Sequence, residues 1–547
     1  MKILIIFVRF NNQRLIYNKH STAKNKNYLI PVGLAYISAV LKESGHEVSC
    51  LNLNNREGLV EDIIRQELTS DHYDFVFLGG LSIYYPDIKD CVAYIRSSSP
   101  KTKIVLGGGL ISSQPEIMFG LLKPDFIVIG EGEITARELV ACVGNLGDLS
   151  QVNGIGYKTD GKLVFTKERQ PILDLDRLPF PDYSGIGYEE YLKNSSATSS
   201  FINDFLDSPR SYTIIGSRSC PYNCTFCYHP LGKKYRQRSV DNIMDELKYA
   251  IEKYHINLVI FLDELFSQNT ERVIEFCQKF KTYTDTLSWN VYWTCSLRVD
   301  GDLSLIPVMK DSGCSLVALG LESYSPTILK SMRKHIAQEQ IRDTLASLAE
   351  NKIACTGNFI FGDTAETLKT AEETLDFFRN RQDLLRGSIA LGFIIPFQGT
   401  PIYQHCVKTG KIKDEIEFIE QRAEYGYDIN NPMNLTESLS GREFEKLKDM
   451  VFTTSYVTRK FIIPKKDWWG VRNGIEINCP YCDKPFYVMN RKLPKIFDQE
   501  EISCRNCHGR FVLVSNHMYL VFCALVKFFG FTRLYLLKQR IRRGLSP

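Results

Sequence analysis

The stretch Cys220-Pro-Tyr-Asn-Cys224-Thr-Phe-Cys227 decides how this chain is interpreted. Its three cysteines follow a Cys-x3-Cys-x2-Cys spacing, which brings three thiolates together in one loop. Thiolates are the usual protein ligands of iron–sulfur clusters. Three of them hold three corners of a [4Fe–4S] cube and leave the fourth iron free to bind a small molecule. The spacing therefore predicts a cluster with an open iron at Cys220, Cys224 and Cys227.

The composition is that of an ordinary globular protein with large cores. The chain has 547 residues, of which 44% are hydrophobic and 24% are charged. At roughly 150 residues per domain, we expect three to four domains. The net charge of +4 is small for this length and argues against broad nucleic-acid binding. We therefore expect no nucleic-acid partner.

The 16 cysteines indicate a reducing compartment. Seven lie in two clusters with metal-ligand spacing, and the others are scattered through apolar segments, as buried free thiols usually are. This distribution does not fit a disulfide scaffold. The apolar run at Met1–Arg9 is too short for a secretory signal, and no run of roughly 18 apolar residues predicts a membrane span. We expect a cytoplasmic protein.

Residues 1–145 alternate short apolar strands with helical segments. The predicted strands are Ile3–Val8, Glu47–Leu53, Phe75–Gly79, Lys103–Leu106 and Phe126–Ile129. This alternation predicts a Rossmann-like α/β fold, a doubly wound parallel sheet. A dinucleotide-binding unit needs a glycine-rich turn directly after its first strand. The residues after Val8 contain no such turn, so the sequence disfavours NAD.

A second run of strands and helices occupies residues 206–403, after a connector over residues 146–205 whose prolines disfavour helix. The six predicted strands are Tyr212–Gly216, Leu258–Leu262, Ser288–Thr294, Leu316–Leu319, Gly357–Phe361 and Gly392–Pro396. Six βα units predict a partial (βα)6 barrel of TIM type, with its chemistry at the C-terminal ends of the strands. The cysteine loop directly follows the first of these strands.

The C-terminal part begins with a helical extension over residues 404–468 and carries the second cysteine cluster over residues 469–515. Cys479-Pro-Tyr-Cys482 and Cys504-Arg-Asn-Cys507 are two Cys-x2-Cys pairs, with strand patterns nearby. They predict a zinc ribbon in which four thiolates hold a structural Zn²⁺. An auxiliary iron–sulfur cluster is the alternative.

The tail, residues 516–547, mixes apolar side chains with lysine and arginine. One interpretation is a helix that packs against the helical extension and projects its arginines to solvent. The other is a basic amphipathic helix that lies on a membrane surface. A peripheral membrane contact through the tail is therefore left open.

The cysteine loop and the strand ends after it resemble the radical S-adenosylmethionine (SAM) enzymes. The matching segments follow one another in order along the chain: Arg218–Cys227, Phe261–Phe266, Trp293–Arg298, Gly320–Ser323, Asn358–Glu366 and Pro396–Pro401. In that family the open iron binds the amino and carboxylate groups of SAM. The resemblance implies that an electron from the cluster cleaves SAM to methionine and a 5′-deoxyadenosyl radical, which removes a hydrogen atom from the substrate.

The resemblance also implies roles for five side chains. Phe226 is placed to offer an aromatic face to adenine. One of the neighbours Asp263 and Glu264 accepts a hydrogen bond from the SAM ammonium, while the other caps a helix or faces solvent. Glu322 binds the ribose hydroxyls or pairs with Arg298. Arg298 contacts the SAM carboxylate or buttresses the sheet.

The glycine-rich turns of residues 1–145 resemble the cobalamin-binding domain that precedes many radical SAM barrels. The resemblance implies cobalamin contacts at Ser82, Gly107, Gly108, Gly109, Gly130 and Glu131. Many such domains carry Asp-x-His-x-x-Gly after the first strand, and that histidine ligates cobalt. This sequence has no such motif, so we expect no histidine on the lower face of cobalt. The loop Asn11–Lys26 is the segment that could supply another residue there.

Together the resemblances imply a cobalamin-dependent radical SAM enzyme with a C-terminal zinc ribbon. We expect a C-methyltransferase that acts on an unactivated carbon of a small molecule or lipid-like intermediate, with an electron donor such as flavodoxin or ferredoxin. The alternatives are a cyclase or ring-rearranging enzyme of the anaerobic porphyrin type, and a non-enzymatic cobalamin- or RNA-binding regulator. Methylthiotransfer to tRNA is disfavoured because residues 1–145 lack that family's cysteine triplet.

Overall fold

The computed structural model describes residues 1–9, 28, 30–194, 206, 208–387, 389–425, 431–462, 475–488, 499–504, 506–514, 518–530 and 534. Most of these residues belong to two α/β units, each built around one sheet, and a smaller C-terminal unit follows. The loop Asn11–Lys26, considered above as the source of a cobalt ligand, lies outside the described residues.

The first sheet has seven strands in the order β2-β1-β3-β4-β5-β6-β7. The strands are β1 (Lys2–Phe7), β2 (Glu47–Asn52), β3 (Phe75–Gly79), β4 (Lys103–Gly107), β5 (Phe126–Val128), β6 (Ile155–Thr159) and β7 (Lys162–Phe165). The helices between them are α1 (Val32–Glu43), α2 (Val60–Ser70), α3 (Tyr85–Ser98), α4 (Gly109–Ser113), α5 (Pro115–Leu122) and α6 (Glu133–Gly144).

Both faces of this sheet are buried, as the apolar strands predict. Side chains alternate along a strand, so Ile3 and Ile5 of β1 pack in one core with α1 and α6. Leu4 and Ile6 pack in a second core with α2, α3 and α5. Strands β1 to β5 are parallel. The prediction of a doubly wound sheet is confirmed.

The segment predicted to be a connector contributes to the first sheet. Strands β6 and β7 extend it as antiparallel edge strands beyond β5. The chain then forms α7 (Tyr188–Asn194). Tyr188 of this helix and Tyr183 before it pack against Tyr212 at the start of the next sheet. Within this segment, the described residues 146–194 therefore join the two sheets by packing, and are more than a linker.

The second sheet has six parallel strands in the order β15-β14-β13-β12-β11-β8. These strands are β8 (Ser211–Ile214), β11 (Leu258–Phe261), β12 (Tyr292–Leu297), β13 (Cys314–Glu322), β14 (Ala354–Phe361) and β15 (Ile389–Phe393). A two-stranded hairpin, β9 (Ser217–Arg218) with β10 (Arg236–Gln237), follows β8. The helices are α8 (Val240–Tyr254), α9 (Thr270–Thr284), α10 (Leu305–Asp311), α11 (Pro326–Ser331), α12 (Gln338–Glu350), α13 (Leu368–Asn380), α14 (Gln382–Leu385) and α15 (Pro401–Lys408).

Local sequence explains why these helices begin where they do. Ser239, Asn269, Thr367 and Thr400 each accept a backbone N–H of the first turn with their side chains, at the starts of α8, α9, α13 and α15. Such caps satisfy donors that the helix itself leaves unpaired. The predicted strand Ser288–Thr294 is wrong by several residues, because Trp289 lies in the preceding loop and donates to the carbonyl of Ile256. The predicted strand at Gly392–Pro396 likewise begins earlier, at Ile389.

The C-terminal unit has two helices, short strands and a further helix. These elements are α16 (Glu415–Tyr425), α17 (Gly441–Val457), β16 (Phe461–Ile462), β17 (Ile475–Asn478), β18 (Pro485–Val488), β19 (Gln499–Ser503), β20 (Arg510–Val514) and α18 (Met518–Phe529). In α18, Val526 packs against Phe452 of α17, while Val521, Leu525 and Phe528 are exposed. Packing against the helical extension is therefore observed for α18. Within the described ranges, no helix is both long and apolar enough to cross a bilayer.

Glu366, just before α13, gives the second α/β unit a pH-dependent stability. Its buried carboxyl lies 2.7 Å from the Thr370 hydroxyl and 3.3 Å from the Gly362 nitrogen. Burial raises its pKa to about 8, so the folded state holds this proton more tightly than the unfolded state does. The stabilisation is complete at low pH and is lost as the pH rises towards 8, at about 1.4 kcal/mol per unit.

We therefore expect Glu366→Gln to raise the thermal unfolding temperature relative to the unchanged protein at pH 8.5, and to change it little at pH 5. Thermal unfolding of both proteins at the two pH values measures the difference. An equal shift at both pH values would mean that Glu366 does not titrate in this range.

Candidate active site

The cysteine loop is held at its base by a short antiparallel hairpin. Strands β9 and β10 pair Arg218 with Arg236 and enclose residues 219–235. Ser219 has a φ of 70°, a left-handed conformation that costs energy for a residue with a side chain. Its hydroxyl accepts a hydrogen bond from Arg236 and donates one to the carbonyl of Leu231. The loop is therefore fixed across its width.

Cys220, Cys224 and Cys227 line the wall of one cavity of about 660 Å³. The cavity is lined by the C-terminal ends of β12 and β13 and continues along β14 and β15 on the same face of the second sheet. The loop is tied to its surroundings because the Thr225 nitrogen donates to the carbonyl of Met332 and the Ile402 nitrogen donates to that of Thr225. Burial raises the pKa of all three thiols, to about 12 for Cys227. Three thiols that share one wall match the donor set predicted for the cluster.

Glu322 lies at the end of β13 in the same cavity. Its φ of 61° coincides with a register shift in the β13–β14 pairing, and such strain concentrates at functional sites. The carboxylate accepts a hydrogen bond of 2.8 Å from Lys334. The alternative pair with Arg298 is therefore wrong. Beside it, a methyl group on Gly320 would lie 2.5 Å from the Lys334 nitrogen, so a larger residue here would force the ends of this pair to move.

Arg298, at the end of β12, lies against the cysteine loop. Its guanidinium stacks over the ring of Tyr222, 3.6 Å from the centroid, which stabilises the segment between Cys220 and Cys224. Asp300 holds it through two hydrogen bonds of 2.8 Å. Arg298 also lines the cavity, so its side chain both supports the cysteine loop and contributes to the cavity wall.

The two neighbouring carboxylates after β11 have separate environments. Asp263 is buried and accepts hydrogen bonds of 2.7 Å from the Gly216 nitrogen and the Ser217 hydroxyl. Burial raises its pKa. Glu264 instead lines the cavity. The predicted SAM contact at Asp263 is therefore corrected, because the Asp263 carboxylate fixes the turn that leads into the cysteine loop. Glu264 is the carboxylate that remains available to accept a hydrogen bond in the cavity.

Phe226 is half-buried in the cavity wall, and its contact with adenine stays a prediction. Two further cavity residues were not predicted. His229 has its Nδ1 atom 3.4 Å from Glu264, and Lys334 pairs with Glu322. Neither has a distinctive local sequence pattern. His229 follows Cys227 by only two positions, and this proximity is the signal that could have found it.

The residues predicted to contact cobalamin lie at the carboxyl ends of β3, β4 and β5. Ser82 begins a turn after β3, Gly107 ends β4, and Gly109 begins α4. A methyl group on Gly108 (φ 87°) would lie 2.9 Å from the carbonyl oxygen of Gly80, whereas one on Gly130 (φ 77°) would meet open space. The backbone of Gly108 is therefore packed closely against Gly80, while the backbone of Gly130 borders open space. The Tyr228 hydroxyl of the cysteine loop donates to the carbonyl of Gly109, so the edge faces the loop.

Four buried charges connect this edge to the base of the cysteine loop, and we name them the interdomain charge cluster: Arg218, Arg236, Glu131 and Glu133. Arg218 donates to Glu131 at 2.8 Å and to Glu133 at 2.6 Å. Arg236 donates to both carboxylate oxygens of Glu131, at 2.8 and 2.7 Å. All four residues are at most 7% exposed.

The interdomain charge cluster corrects the predicted role of Glu131. Burial alone would raise the pKa of its carboxyl, but Arg218 and Arg236 outweigh burial and hold the pKa below its usual value. The Ile172 nitrogen donates a further hydrogen bond to this carboxylate. The Glu131 side chain is therefore occupied by the two arginines and does not face a ligand.

The second cysteine cluster forms a compact tetrad. The sulfur atoms of Cys479, Cys482, Cys504 and Cys507 all lie within 4.8 Å of one another. Two of the separations are 3.6 and 3.8 Å, close to the ~3.8 Å expected for four sulfurs at about 2.3 Å from one central zinc ion. The Tyr481 and Asn506 nitrogens lie 3.4 and 3.3 Å from the sulfurs of Cys479 and Cys504. The donors fit a tetrahedral metal.

Two protein-family models match the chain over these two α/β units. The model of the radical SAM superfamily matches residues 214–378, which include the three cysteines and the cavity residues around them. The model of the B12-binding domain matches residues 20–140.

The chain combines a B12-binding domain with a radical SAM domain.

Relatives and solved structures agree with this assignment. An uncharacterized methyltransferase of Pyrococcus horikoshii is 28% identical over 386 residues, which are 69% of this chain and 78% of the relative. The anaerobic magnesium-protoporphyrin IX monomethyl ester cyclase of Rubrivivax gelatinosus is 28% identical over 360 residues, 64% of this chain and 62% of the relative. The radical SAM methyltransferase TsrM from Kitasatospora setae, solved with cobalamin and a [4Fe–4S] cluster, has the same fold, with a TM-score of 0.57, 17% identity, and 74% and 76% of the two chains covered.

The residues of the cavity and of the glycine-rich edge fit a [4Fe–4S] cluster, SAM and cobalamin, the cofactors that the two matched domains imply. Three thiols and an adjoining set of charged groups share one cavity wall. The glycine-rich edge of the B12-binding domain faces the cysteine loop through Tyr228 and has open space at Gly130. In addition, Leu81 and Ile83, at the end of β3, are exposed at 56% and 41%. An apolar, open edge suits a large flat ligand.

Proposed function

We propose that this enzyme is a cobalamin-dependent radical SAM C-methyltransferase that acts on an unactivated carbon of a small or lipid-like molecule. The single observation that carries the proposal is the approach of the glycine-rich edge of the B12-binding domain to the three-cysteine loop, through Tyr228 and the interdomain charge cluster. In this proposal, the approach holds cobalamin beside the cavity that the three cysteines line.

The bound groups would supply a reducing cluster, a radical derived from SAM and a transferable methyl group. Cys220, Cys224 and Cys227 hold the cluster. Glu264 accepts a hydrogen bond from the SAM ammonium, and Phe226 packs against the adenine. Glu322, oriented by Lys334, binds the ribose hydroxyls. Arg298 balances the carboxylate of SAM while it stacks on Tyr222.

On the other side, Ser82, Gly107, Gly108, Gly109 and the backbone of Gly130 hold cobalamin at the carboxyl edge of the first sheet. This assignment keeps the predicted positions and replaces the Glu131 side chain with neighbouring backbone. The interdomain charge cluster is buried, so water is excluded from the contact between the two domains beside the cysteine loop, and exclusion of water protects reactive intermediates.

We assign the remaining parts as follows. The B12-binding domain includes β6 and β7, so it ends after Phe165 rather than at residue 145. The radical SAM barrel occupies residues 206–403, the helical extension residues 404–468, and the metal ribbon residues 469–515. The ribbon holds a structural Zn²⁺, since four thiolates close the tetrahedron and leave no open position.

We propose that the protein works in the cytoplasm with a flavodoxin or ferredoxin as reductant. The sixteen cysteines, which form no disulfide in the described part of the chain, support a reducing compartment. We also propose that α18 makes a peripheral membrane contact. Its exposed residues Val521, Leu525 and Phe528 are spaced so that they share one helix face. Flotation with vesicles that contain anionic lipid, compared with Phe528→Ser, tests the contact.

The zinc assignment predicts that anaerobically purified protein contains about one zinc per chain, and that Cys504→Ser loses it with a fall in thermal stability. Elemental analysis and thermal unfolding measure the two effects. Cys523→Ser, a buried cysteine of α18 outside the tetrad, is the matched control and should keep the zinc. Iron and labile sulfide bound by the tetrad in place of zinc would support the auxiliary cluster instead.

Cyclisation is the second candidate function, because one relative is a cyclase. Labelled SAM distinguishes methylation from cyclisation. The reduced holoenzyme is incubated anaerobically with SAM that carries a trideuterated methyl group and with candidate substrates. Methylation yields S-adenosylhomocysteine together with 5′-deoxyadenosine, and a product heavier by a labelled methyl. Deoxyadenosine with an unlabelled cyclised product and no adenosylhomocysteine would contradict the proposal.

A further inference from the structure

The cavity that contains the cysteines has a second end, which the C-terminal unit forms. This end is lined by Arg459 and Lys460 after α17, Glu501 of β19, and Arg510, Phe511 and Val512 of β20. The Arg510 nitrogen donates to the carbonyl of Arg386, directly before β15. The metal ribbon is therefore attached to the open edge of the barrel and acts as a wall of the cavity.

The two ends differ in charge. At the cysteine end each cation has a carboxylate partner, Glu322 for Lys334 and Asp300 for Arg298, and Glu264 adds a further carboxylate. Among the described residues, the second end has three cationic side chains and one carboxylate. The Lys460 Nζ atom also donates to the carbonyl of Pro480 at 2.7 Å. The carboxylate of Glu501 lies 3.9 Å from Arg459 and is 55% exposed, and pairs of this kind are weak. Counted over the described residues, this end therefore has a net positive charge.

The wall near the second end is apolar. Phe511, Val512, Leu319 and Ile389 line it, and all four are buried. Small-molecule sites of about 300–1,000 Å³ typically combine such walls with a few polar groups that fix orientation. A cavity of about 660 Å³ with a cationic end fits a molecule with an apolar body and an anionic group.

We propose that Arg459, Lys460 and Arg510 bind an anionic oxygen group, a phosphate or a carboxylate, at the end of a substrate whose apolar body extends towards the cysteine loop. This inference deepens the proposed function and rests on it, because it places the reacting carbon at the cysteine end. The metal ribbon then serves substrate recognition, since β20 supplies Arg510 and Phe511.

Equilibrium binding tests this inference without any turnover. Octyl phosphate, octanoate and 1-octanol share one apolar chain, and anaerobic calorimetry with the reconstituted holoenzyme measures their affinities. Hydrogen bonds to charged groups predict at least about tenfold tighter binding of an anion than of octanol. The stronger of the two anions indicates whether the substrate carries a phosphate or a carboxylate.

The double variant Arg459→Gln/Arg510→Gln should lose at least about tenfold in anion affinity and leave octanol binding unchanged. Arg342→Gln, at an exposed arginine of α12, is the control and should bind like the unchanged protein. Zinc content and thermal unfolding verify that the double variant is folded. If it is not folded, Arg459→Gln alone replaces it, with the same direction of change expected.

Equal affinity for the anions and octanol, or anion binding that the variants leave unchanged, would overturn the inference. Both outcomes are independent of the proposed function. An absence of SAM cleavage by the reduced holoenzyme refutes that function, whatever the calorimetry shows.

Discussion

Replacing Cys224 with alanine is expected to abolish SAM cleavage, because the cluster then loses one of its three protein ligands. Cys224 is the most buried of the three, at 7% exposure, and its loop is tied to Met332 and Ile402. Without the cluster no electron reaches SAM, so neither 5′-deoxyadenosine nor a methylated product forms. Cys220→Ala and Cys227→Ala should have the same effect.

The measurement combines iron and labile sulfide content with 5′-deoxyadenosine formation after anaerobic reconstitution. Cys142→Ala is the matched control, since Cys142 lies half-buried on α6 in the B12-binding domain. It should keep full iron content and activity. Thermal unfolding separates loss of the cluster from loss of the fold. Normal deoxyadenosine yield from folded Cys224→Ala would show that the cluster lies elsewhere.

Glu131→Gln is expected to lower the free energy of unfolding by about 3–5 kcal/mol, because it leaves buried arginines without their charge partner. Arg218 and Arg236 lie opposite each other in the hairpin, and like charges at paired positions repel. Glu131 offsets that repulsion through hydrogen bonds to both. Its loss should also loosen the contact between the cysteine loop and the B12-binding domain.

Urea-induced unfolding measures the stability of this variant. The ratio of 5′-deoxyadenosine to methylated product measures the coupling of SAM cleavage to methyl transfer, and we expect this ratio to rise while iron content stays unchanged. Glu138→Gln, which removes a surface partner of Arg169, is the control and should cost less than ~1 kcal/mol. Adding Arg218→Met to Glu131→Gln should recover part of the stability. An unchanged ratio would show that the interdomain charge cluster is structural only.

The strands of both sheets and the cysteine loop could be predicted from sequence because their signals are local. Uninterrupted apolar runs predict buried parallel strands, and the cysteine spacing lies within eight residues. Strands β6 and β7 were missed because they are short antiparallel edge strands in a turn-rich segment. The tetrad at Cys479 to Cys507 was predicted for the same reason as the loop, since each cysteine pair is a compact pattern.

The roles of single carboxylates could not be predicted, because they depend on distant partners. Asp263 and Glu264 are adjacent, and only the turn at Gly216 and Ser217 determines which one is buried. Glu131 is separated from Arg218 by 87 residues and from Arg236 by 105. Lys334 reaches Glu322 from the segment after α11. None of these pairings leaves a periodic pattern in the chain.

The metal and cobalamin content of anaerobically purified and reconstituted protein shows whether the chain binds both an iron–sulfur cluster and cobalamin. If one chain brings a three-cysteine cluster and cobalamin to a shared cavity, it should contain about four irons in a [4Fe–4S] cluster and about one cobalt. Cys224→Ala should lose the iron and keep the cobalt. Protein that binds no cobalamin would contradict the assignment of residues 1–165 as a cobalamin site. Iron that survives the loss of Cys224 would contradict a cluster held by the cysteine loop.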